Sequence, residues 1–384
     1  MKKGIISFIY TLLAVVIFSA CKKDGAETAH DGGTVIVYRD GEVPDNVRIN
    51  QLQYLGSHNS YRKHTDPKIY KFLQSISGLI PYNIVEWEYD HVTLYEQFER
   101  YGVRQAEIDV YGDKHGGLFY NRMGYTLTGR SAESKIEALK TPGLKVLHIP
   151  DLDFETHYYT FVQALQDIRK WSDQYPDHLP IYILLEAKTE TVGDVLGFLG
   201  FVKAEPWDEE NIAQIEQEIL QVFPREKIIK PDDIRGDFPT LREAVLTKGW
   251  PTVGEARGKI MFMLDGQEFS RAYRGGNTSL EGKLLFTNPE SADAPDAAFV
   301  KVNDPKDAGI PALVRKGFLV RSMVGGVYEA KSGDYSLWEA GVSSGVHFLS
   351  TDYYKPDVRA GQPGWTDFTL KVTHHSYQFN PLTY

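Results

Sequence analysis

Residues 181–188 read Ile-Tyr-Ile-Leu-Leu-Glu-Ala-Lys, and this stretch indicates how the chain folds. Its first five residues are almost continuously apolar, which is typical of a strand buried on both faces of a parallel sheet. Seven further short apolar runs recur along the chain, at residues 52–56, 103–110, 144–149, 259–264, 298–302, 318–320 and 346–350. Helical patterns separate several of these runs. The alternation predicts an α/β protein with a (β/α)₈ TIM-barrel fold.

Two stretches between the runs have the apolar spacing of amphipathic helices. Residues 161–171 place four apolar side chains on one stripe, at Val162, Leu165, Ile168 and Trp171. Residues 212–223 repeat this spacing with Ile212, Ile215, Ile219 and Val222. Both patterns predict helices with one buried face.

The overall composition is that of a globular protein, with 384 residues of which 42% are hydrophobic and 24% charged. There are 42 basic and 52 acidic side chains, a formal net charge of −10. This balance argues against a nucleic-acid partner, because nucleic-acid binding needs a basic surface. The single cysteine, Cys21, excludes an intramolecular disulfide. The composition leaves the oligomeric state open.

The amino terminus has the pattern of a targeting segment. Lys2 and Lys3 precede an apolar stretch at residues 5–18, and Ser19-Ala20-Cys21 follows it. The apolar stretch is short for a membrane span and is typical of a signal peptide. Removal of residues 1–20 would leave 40 basic and 52 acidic side chains, a net charge of −12.

The segment around Cys21 resembles a bacterial lipoprotein signal, in which the cysteine becomes the lipidated first residue. The resemblance implies export across the inner membrane and a lipid anchor, at the periplasmic or cell-surface side. The alternative is an ordinary signal peptide with an incidental cysteine. Residues 21–45 are predicted to form a flexible tether, although residues 34–38 could form a short strand, and residues 46–384 a single barrel domain.

Polar side chains follow four of the early apolar runs, at the point where each run ends. Because the carboxyl ends of barrel strands share one rim, these side chains are expected to converge there. The predicted site contains His58, Asn59, Glu107, Asp109, His148, Glu186 and Lys188. His115, in a glycine-rich stretch, is the main rival of His148.

The residue types at this rim define its chemistry. One asparagine and three carboxylates offer only oxygen ligands, which suit Ca²⁺, or less favourably Mg²⁺, rather than Zn²⁺. A divalent cation also relieves the mutual repulsion of crowded carboxylates. Two histidines on the same rim can act as acid and base. Together these groups are suited to phosphoryl transfer.

Several motifs resemble those of the phosphatidylinositol-specific phospholipase C superfamily, and most closely its calcium-dependent bacterial branch. The first is Gly-Ser-His-Asn-Ser-Tyr at residues 56–61. The second combines His91, Leu94 and Gln97 with Gly-Val-Arg at 102–104 and Glu-Ile-Asp at 107–109. Further matches are Val-Leu-His at 146–148, Glu-Ala-Lys at 186–188, residues 317–321 and 348–354, and Asn-Pro at 380–381.

The resemblance implies a TIM-barrel phosphodiesterase that binds Ca²⁺ through Asn59, Glu107, Asp109 and Glu186. It implies that His58 and His148 flank the phosphodiester, with the acid and base roles unassigned, while the inositol 2-hydroxyl attacks phosphorus. Lys188 is expected to neutralise phosphate and Arg321 to line the head-group pocket.

The partners expected from the resemblance are a phospholipid substrate and the membrane that carries the anchor. Two alternatives stay open at this stage. One is a phosphodiesterase acting on a glycerophosphodiester or another phospholipid head group. The other is a catalytically silent lipoprotein that binds a ligand at the surface.

Overall fold

The computed structural model describes residues 26–28, 34–36, 42–80 and 82–384. The predicted signal peptide at residues 1–20 and the predicted lipidation site at Cys21 lie outside the described residues. The chain divides into two units, residues 1–37 and 38–384. In the first unit, β1 (Ala26–Thr28) and β2 (Thr34–Ile36) form an antiparallel pair. The predicted tether thus contains two short strands, of which β2 falls on the alternative strand at residues 34–38.

The second unit is built around eight parallel strands. In spatial order they are neighbours as β10-β11-β12-β3-β4-β6-β8-β9. Their ranges are β3 (Leu52–Ser57), β4 (Gln105–Tyr111), β6 (Ile181–Ala187), β8 (Ile260–Asp265), β9 (Phe286–Thr287), β10 (Phe299–Lys301), β11 (Leu319–Gly325) and β12 (Phe348–Thr351). Between β9 and β10, the Oδ1 atom of Asn288 accepts a hydrogen bond from the backbone N–H of Lys301 at 3.1 Å.

Three short strands attach to this barrel without being among the eight. β5 (Lys145–Val146) pairs antiparallel with β4, β7 (Ile228–Ile229) pairs parallel with β8, and β13 (Tyr377–Phe379) pairs antiparallel with β3. The prediction of a barrel strand at residues 144–149 is therefore wrong. The fifth barrel strand is β9, which sequence analysis missed because an apolar run this short carries little periodicity.

Helices fill most of the connections between the barrel strands. Those of the first half are α1 (Pro67–Ser75), α2 (Leu94–Arg100), α3 (Met123–Leu127), α4 (Phe161–Gln174), α5 (Gly193–Leu196), α6 (Glu209–Val222) and α7 (Pro231–Arg235). The others are α8 (Leu241–Thr247), α9 (Val253–Ala256), α10 (Gln267–Arg274), α11 (Ile310–Lys316), α12 (Val327–Ser332) and α13 (Ser336–Ser343). Short 3₁₀ helices occupy Ile49–Gln51, Ser77–Leu79, Ile84–Trp87, Glu137–Lys140, Gly197–Leu199 and Arg225–Lys227.

The two predicted amphipathic helices are present as α4 and α6. Helix α4 begins at a capping box in which Thr160 accepts from the backbone of Gln163, and it buries Leu165, Ile168 and Trp171. Within the described part of the chain, none of the helices combines the length and the apolar character that crossing a bilayer requires.

Aromatic side chains fill the amino-terminal half of the barrel interior. Tyr54, Tyr182, Phe299 and Phe348 come from four different strands, and we call them the aromatic floor. The ring of Tyr182 lies 4.6 Å from Phe348 and 5.0 Å from Tyr54, and Phe299 lies 6.2 Å from Phe348. The floor closes this end of the barrel, which leaves the carboxyl end for polar residues.

The segment that enters β4 is held against the carboxyl-terminal part of the chain. Gly102 has φ +67°, and a Cβ atom there would lie 2.3 Å from the carbonyl oxygen of His375. Glycine is therefore required at this close approach. The guanidinium of Arg104 is buried over the ring of Trp171, at 4.7 Å from the ring centre. Residues 102–104 thus position the strand that carries Glu107 and Asp109.

Candidate active site

The turn after β3 presents His58 and Asn59 at the carboxyl rim of the barrel. Asn59 has φ +46° and is 3% exposed, a left-handed conformation that asparagine tolerates better than most residues. Gln97 holds the turn by donating to the carbonyl of Ser60 at 2.6 Å and accepting from the hydroxyl of Ser57 at 2.7 Å. The Nε2 atom of His91 donates to the carbonyl of His58 at 2.7 Å. His91 and Gln97 therefore position this turn.

Three carboxylates meet inside the rim, and we call Glu107, Asp109 and Glu186 the carboxylate cluster. Glu107 and Asp109 are separated by one residue in β4, so their side chains point to the same side of the strand. Asp109 is the direct partner of Glu186 in the parallel register of β4 and β6. One ligand oxygen from each of the three lies within 4.8 Å of the others. The register of two strands thus creates the cluster.

Two cations partly compensate the charge of the cluster. Arg321 pairs with Oε2 of Glu107 at 2.6 Å, and Lys188 lies 3.0 Å from Oε1 of Glu186 and 3.5 Å from Oδ2 of Asp109. Burial opposes ionisation of Glu107, but the positive charges around it, of which Arg321 is the strongest, together outweigh burial and lower the pKa of this carboxyl. Burial raises the pKa of Asp109, and Glu186 and Glu107 raise it further in spite of Lys188. The charge of the cluster is therefore only partly balanced.

Four buried oxygens at this site accept no hydrogen bond. They are Oδ1 of Asn59, Oε1 of Glu107 and both carboxylate oxygens of Asp109. Buried polar atoms are nearly always hydrogen-bonded, so a convergent set of unpartnered oxygens marks a place for a ligand that accepts electron pairs. Oxygen ligands with surplus negative charge fit a hard divalent cation. The residues present therefore fit the Ca²⁺ expected from the sequence.

His58 stands beside this cluster. Its Nδ1 lies 2.9 Å from Oδ1 of Asp352 and its Nε2 lies 3.7 Å from Oε1 of Glu107, while the side chain is 30% exposed. Burial alone would lower the pKa of His58, but the carboxylates of Asp352 and Glu107 raise it above its usual range. Asp352 fixes the orientation of the ring, so that Nε2 points towards the cluster.

His148 forms a second histidine–aspartate pair. Its Nδ1 lies 2.6 Å from Oδ2 of Asp153, and Asp153 also accepts from the buried guanidinium of Arg62 at 2.7 Å. Arg62 stacks on the ring of Tyr89, whose hydroxyl accepts from the amide of Asn59 at 2.9 Å. Burial lowers the pKa of His148 despite the neighbouring Asp153. A continuous chain of contacts thus connects His148 to the Asn59 side chain.

His148 was predicted from its position at the end of a barrel strand. That premise is wrong, because β5, the strand that precedes His148, runs antiparallel to β4 and is not a barrel strand. The ring of His148 packs edge-on against Trp87 at 5.8 Å. The rival candidate, His115, is exposed in the connection that follows β4.

A cavity of about 490 Å³ opens beside the carboxylate cluster. Among the residues that line it are His58, Glu86, Glu107, Glu186, Lys301, Asn303, Arg321, Tyr328, Glu329 and Asp352. Arg321, predicted to line the head-group pocket, lines this cavity, and its guanidinium also bonds Asn303 at 2.6 Å and Ser350 at 3.1 Å. Lys188, predicted to meet the phosphate, contacts Asp109 and Glu186 in this structure.

Sequence analysis missed Asp352, Asp153 and Lys301. Asp352 directly follows β12, so the rule that located the other polar strand ends could have found it. Lys301 ends β10, pairs with Asp265 at the end of β8, and lines the cavity. Asp153 lies in an irregular loop, where no pattern in the sequence indicates its contact with His148.

Comparisons with known proteins agree with this geometry. The family model described as "Phosphoinositide phospholipase C, Ca2+-dependent" matches residues 47–381. No curated protein shows a significant match.

Solved structures are also similar. A calcium-dependent phosphoinositol-specific phospholipase C from Pseudomonas sp. has 16% identity and a TM-score of 0.52, covering 84% of this chain and 96% of its own. The Ca²⁺-dependent phosphatidylinositol-specific phospholipase C of Streptomyces antibioticus has 16% identity and a TM-score of 0.50, covering 80% and 95%. At this identity the two structures support the fold alone, and they confirm the predicted fold class.

Proposed function

The chain belongs to the Ca²⁺-dependent phosphoinositide phospholipase C family and is therefore a phosphodiesterase, and we propose that Asn59, the carboxylate cluster and two histidine–aspartate pairs carry out its reaction. The observation that carries this assignment is the convergence of unpartnered oxygens from Asn59, Glu107 and Asp109 beside His58. Such oxygens are suited to bind a cation, and Ca²⁺ is the cation on which this family depends.

In the proposed site, Asn59, Glu107, Asp109 and Glu186 hold the cation. When bound, it stabilises negative charge on phosphoryl oxygens and lowers the pKa of a nearby hydroxyl. The inositol 2-hydroxyl oxygen forms a bond to phosphorus while the bond from phosphorus to the glycerol oxygen breaks. Of His58 and His148, one takes the proton of the attacking hydroxyl and the other donates a proton to the leaving oxygen. The products are diacylglycerol and a cyclic inositol phosphate.

The aspartates orient these histidines. Asp352 binds Nδ1 of His58 and Asp153 binds Nδ1 of His148, so each ring is oriented through Nδ1 and Nε2 is the atom assigned to proton transfer. Each carboxylate stabilises the positive charge of its protonated ring, and this effect outweighs burial at His58 but not at His148. The attacking hydroxyl neighbours the phosphodiester on the inositol ring itself, so the attack is intramolecular and the site mainly orients groups that are already close.

The direct test is hydrolysis of phosphatidylinositol vesicles by the wild-type chain and by His58→Ala, with Ca²⁺ or with a chelator. We expect activity only with Ca²⁺ and a decrease of roughly 10²–10⁴-fold in the variant, the usual contribution of a general acid or base. His115→Ala, at an exposed histidine, is the matched control. Near-full activity of His58→Ala would refute the assignment.

A substrate panel separates the alternatives. Preference for a glycerophosphodiester over phosphatidylinositol would identify a different head group on the same barrel. A chain that bound Ca²⁺ and phospholipid but hydrolysed no substrate of the panel would be a catalytically silent binding protein.

We further propose that the chain is a membrane-anchored lipoprotein that is cleaved before Cys21 and lipidated on that residue. A second feature supports contact with a membrane. Tyr328 lines the cavity and is 52% exposed, Phe198 and Leu199 lie between β6 and α6, and Val358 follows β12. Phe198 is 83% exposed and Val358 73%. Burial of such side chains in a bilayer contributes about 1.5–3 kcal/mol each.

Two variants test the proposed attachment. Cys21→Ala should move the protein from the membrane fraction to the soluble fraction. In the unanchored chain, Phe198→Ser should weaken binding to phosphatidylinositol-containing vesicles by about tenfold or more. Hydrolysis of a water-soluble substrate should be unchanged. The proposal would be contradicted if Cys21→Ala stayed in the membrane fraction and the wild-type chain took up no labelled fatty acid.

A further inference from the structure

The ammonium of Lys188 lies beside two of the proposed calcium ligands, Asp109 and Glu186. Its ammonium donates to Oε1 of Glu186 at 3.0 Å and pairs with Oδ2 of Asp109 at 3.5 Å. Its side chain is 22% exposed, so it has a path to solvent. At these distances the ammonium forms an ion pair with each of the two carboxylates.

The distances leave little room for two cations. Ca²⁺ binds carboxylate oxygens at about 2.3–2.6 Å. A metal ion on Asp109 and Glu186 would therefore lie within a few ångströms of an ammonium held by the same two carboxylates. Two positive charges at that separation repel strongly in a partly buried site. Arg321 differs in this respect, because it binds Oε2 of Glu107 and leaves Oε1 without a hydrogen bond.

We propose that Lys188 is an internal counter-ion that competes with Ca²⁺ for Asp109 and Glu186. In the metal-free chain the ammonium neutralises these carboxylates. Ca²⁺ binding displaces the ammonium, so the calcium affinity is lower than the ligands alone would provide. The inference rests on the proposed function, since it takes the carboxylate cluster as the calcium site, and it adds a residue that sets the affinity of that site.

The test is calorimetric titration of Ca²⁺ into the metal-free, full-length chain and its variants. Lys188→Met should bind Ca²⁺ at least about tenfold more tightly than the wild type, equivalent to about 1.4 kcal/mol. Lys188→Arg keeps the positive charge and should bind within about threefold of the wild type. Lys203→Met removes an exposed lysine from the same connection between β6 and α6, so it is the control for net charge.

A second measurement covers loss of stability in the variant. The thermal unfolding midpoint of each protein is measured with a chelator and with saturating Ca²⁺. Because a ligand stabilises the folded state in proportion to the logarithm of its concentration over its dissociation constant, the calcium-induced increase should be larger in Lys188→Met than in the wild type. An equal or smaller increase would overturn the proposal.

The failures of the two proposals are distinguishable. If the wild type and all variants fail to bind Ca²⁺, the calcium site is refuted and the role of Lys188 with it. If the wild type binds Ca²⁺ and hydrolyses phosphatidylinositol, but Lys188→Met shows unchanged or weaker affinity, only the role of Lys188 is overturned.

Discussion

The two ends of the barrel interior are completed in different ways. At the amino-terminal end, the four rings of the aromatic floor lie within 4.6–6.2 Å of their neighbours and pack against each other. At the carboxyl end, two members of the carboxylate cluster, Glu107 and Asp109, are equally buried at 0% exposed, yet three of their four oxygens accept no hydrogen bond. The same eight strands carry both ends.

This contrast shows which end stabilises the fold and which end binds a ligand. Close packing of apolar rings lowers the free energy of the folded chain without any partner. Buried carboxylate oxygens without a hydrogen bond raise that free energy, and they are retained where binding or catalysis compensates for the cost. Substitutions at the two ends should therefore have opposite profiles of stability and activity.

The largest expected effect is on stability, at the floor. Phe348→Ala removes a ring that contacts Tyr54, Tyr182 and Phe299, and it should lower the free energy of unfolding by about 3–5 kcal/mol. Denaturant unfolding measures the loss, and activity per folded molecule should be retained below the transition. Phe198→Ala deletes the same ring at an 83% exposed position and serves as control. Equal losses in both variants would contradict the assignment of a packed floor.

The next effect is on activity, at the carboxylate cluster. Asp109→Asn keeps the size of the side chain but removes a charge whose two oxygens lack donors. Activity should decrease roughly 10²–10³-fold. With a chelator present, the unfolding midpoint should increase, because the variant no longer buries a carboxylate beside Glu107 and Glu186.

The same substitution at the exposed Asp237 is the control, and it should change neither quantity. A decrease in the metal-free stability of Asp109→Asn would mean that the cluster stabilises the fold, which would remove the contrast between the two ends.

A smaller effect concerns pH, at the amino-terminal end. His347 is fully buried, its Nδ1 accepts from Val320 at 3.1 Å, and its Nε2 donates to Asn50 at 3.0 Å. Burial lowers the pKa of His347 to about 4. The unfolded chain binds this proton near pH 6.5. Unfolding therefore takes up a proton between these values, and the free energy of unfolding should decrease by about 3 kcal/mol as pH falls from 6.5 to 4.

His347→Gln should flatten this decrease, as measured by denaturant unfolding at several pH values, although packing changes will lower its stability at pH 7. His115→Gln, at an exposed histidine, is the matched control. If the free energy of unfolding fell equally with pH in His347→Gln and in the wild type, the burial of His347 would not be the cause of the decrease.

Much of the barrel could be predicted from short-range patterns. Strongly apolar runs such as residues 181–185 identify buried strands, since a strand covered on both faces has little room for polar residues. The pattern failed at residues 144–149, where an apolar run forms an antiparallel strand outside the eight, and at β9, which is too short to show a pattern. In both places pairing with neighbouring strands, which is a long-range interaction, decides the outcome.

The candidate site follows the same division. Polar residues directly after strands, such as Asn59 and Glu107, could be predicted because the topology of a barrel brings all strand ends to one rim. The orientation of His148 by Asp153 and the position of Lys188 between two carboxylates could not, because each depends on side-chain contacts that no sequence spacing specifies.

The sequence by itself determined the fold class, the family and the oxygen-rich character of the site, because these depend on residue type and on position relative to strand ends. The tertiary structure decided which oxygens of Glu107 and Asp109 lack a donor, and that Lys188 occupies the space between Asp109 and Glu186. Those features arise from packing and strand register, where a shift of one residue would turn each side chain to the opposite face.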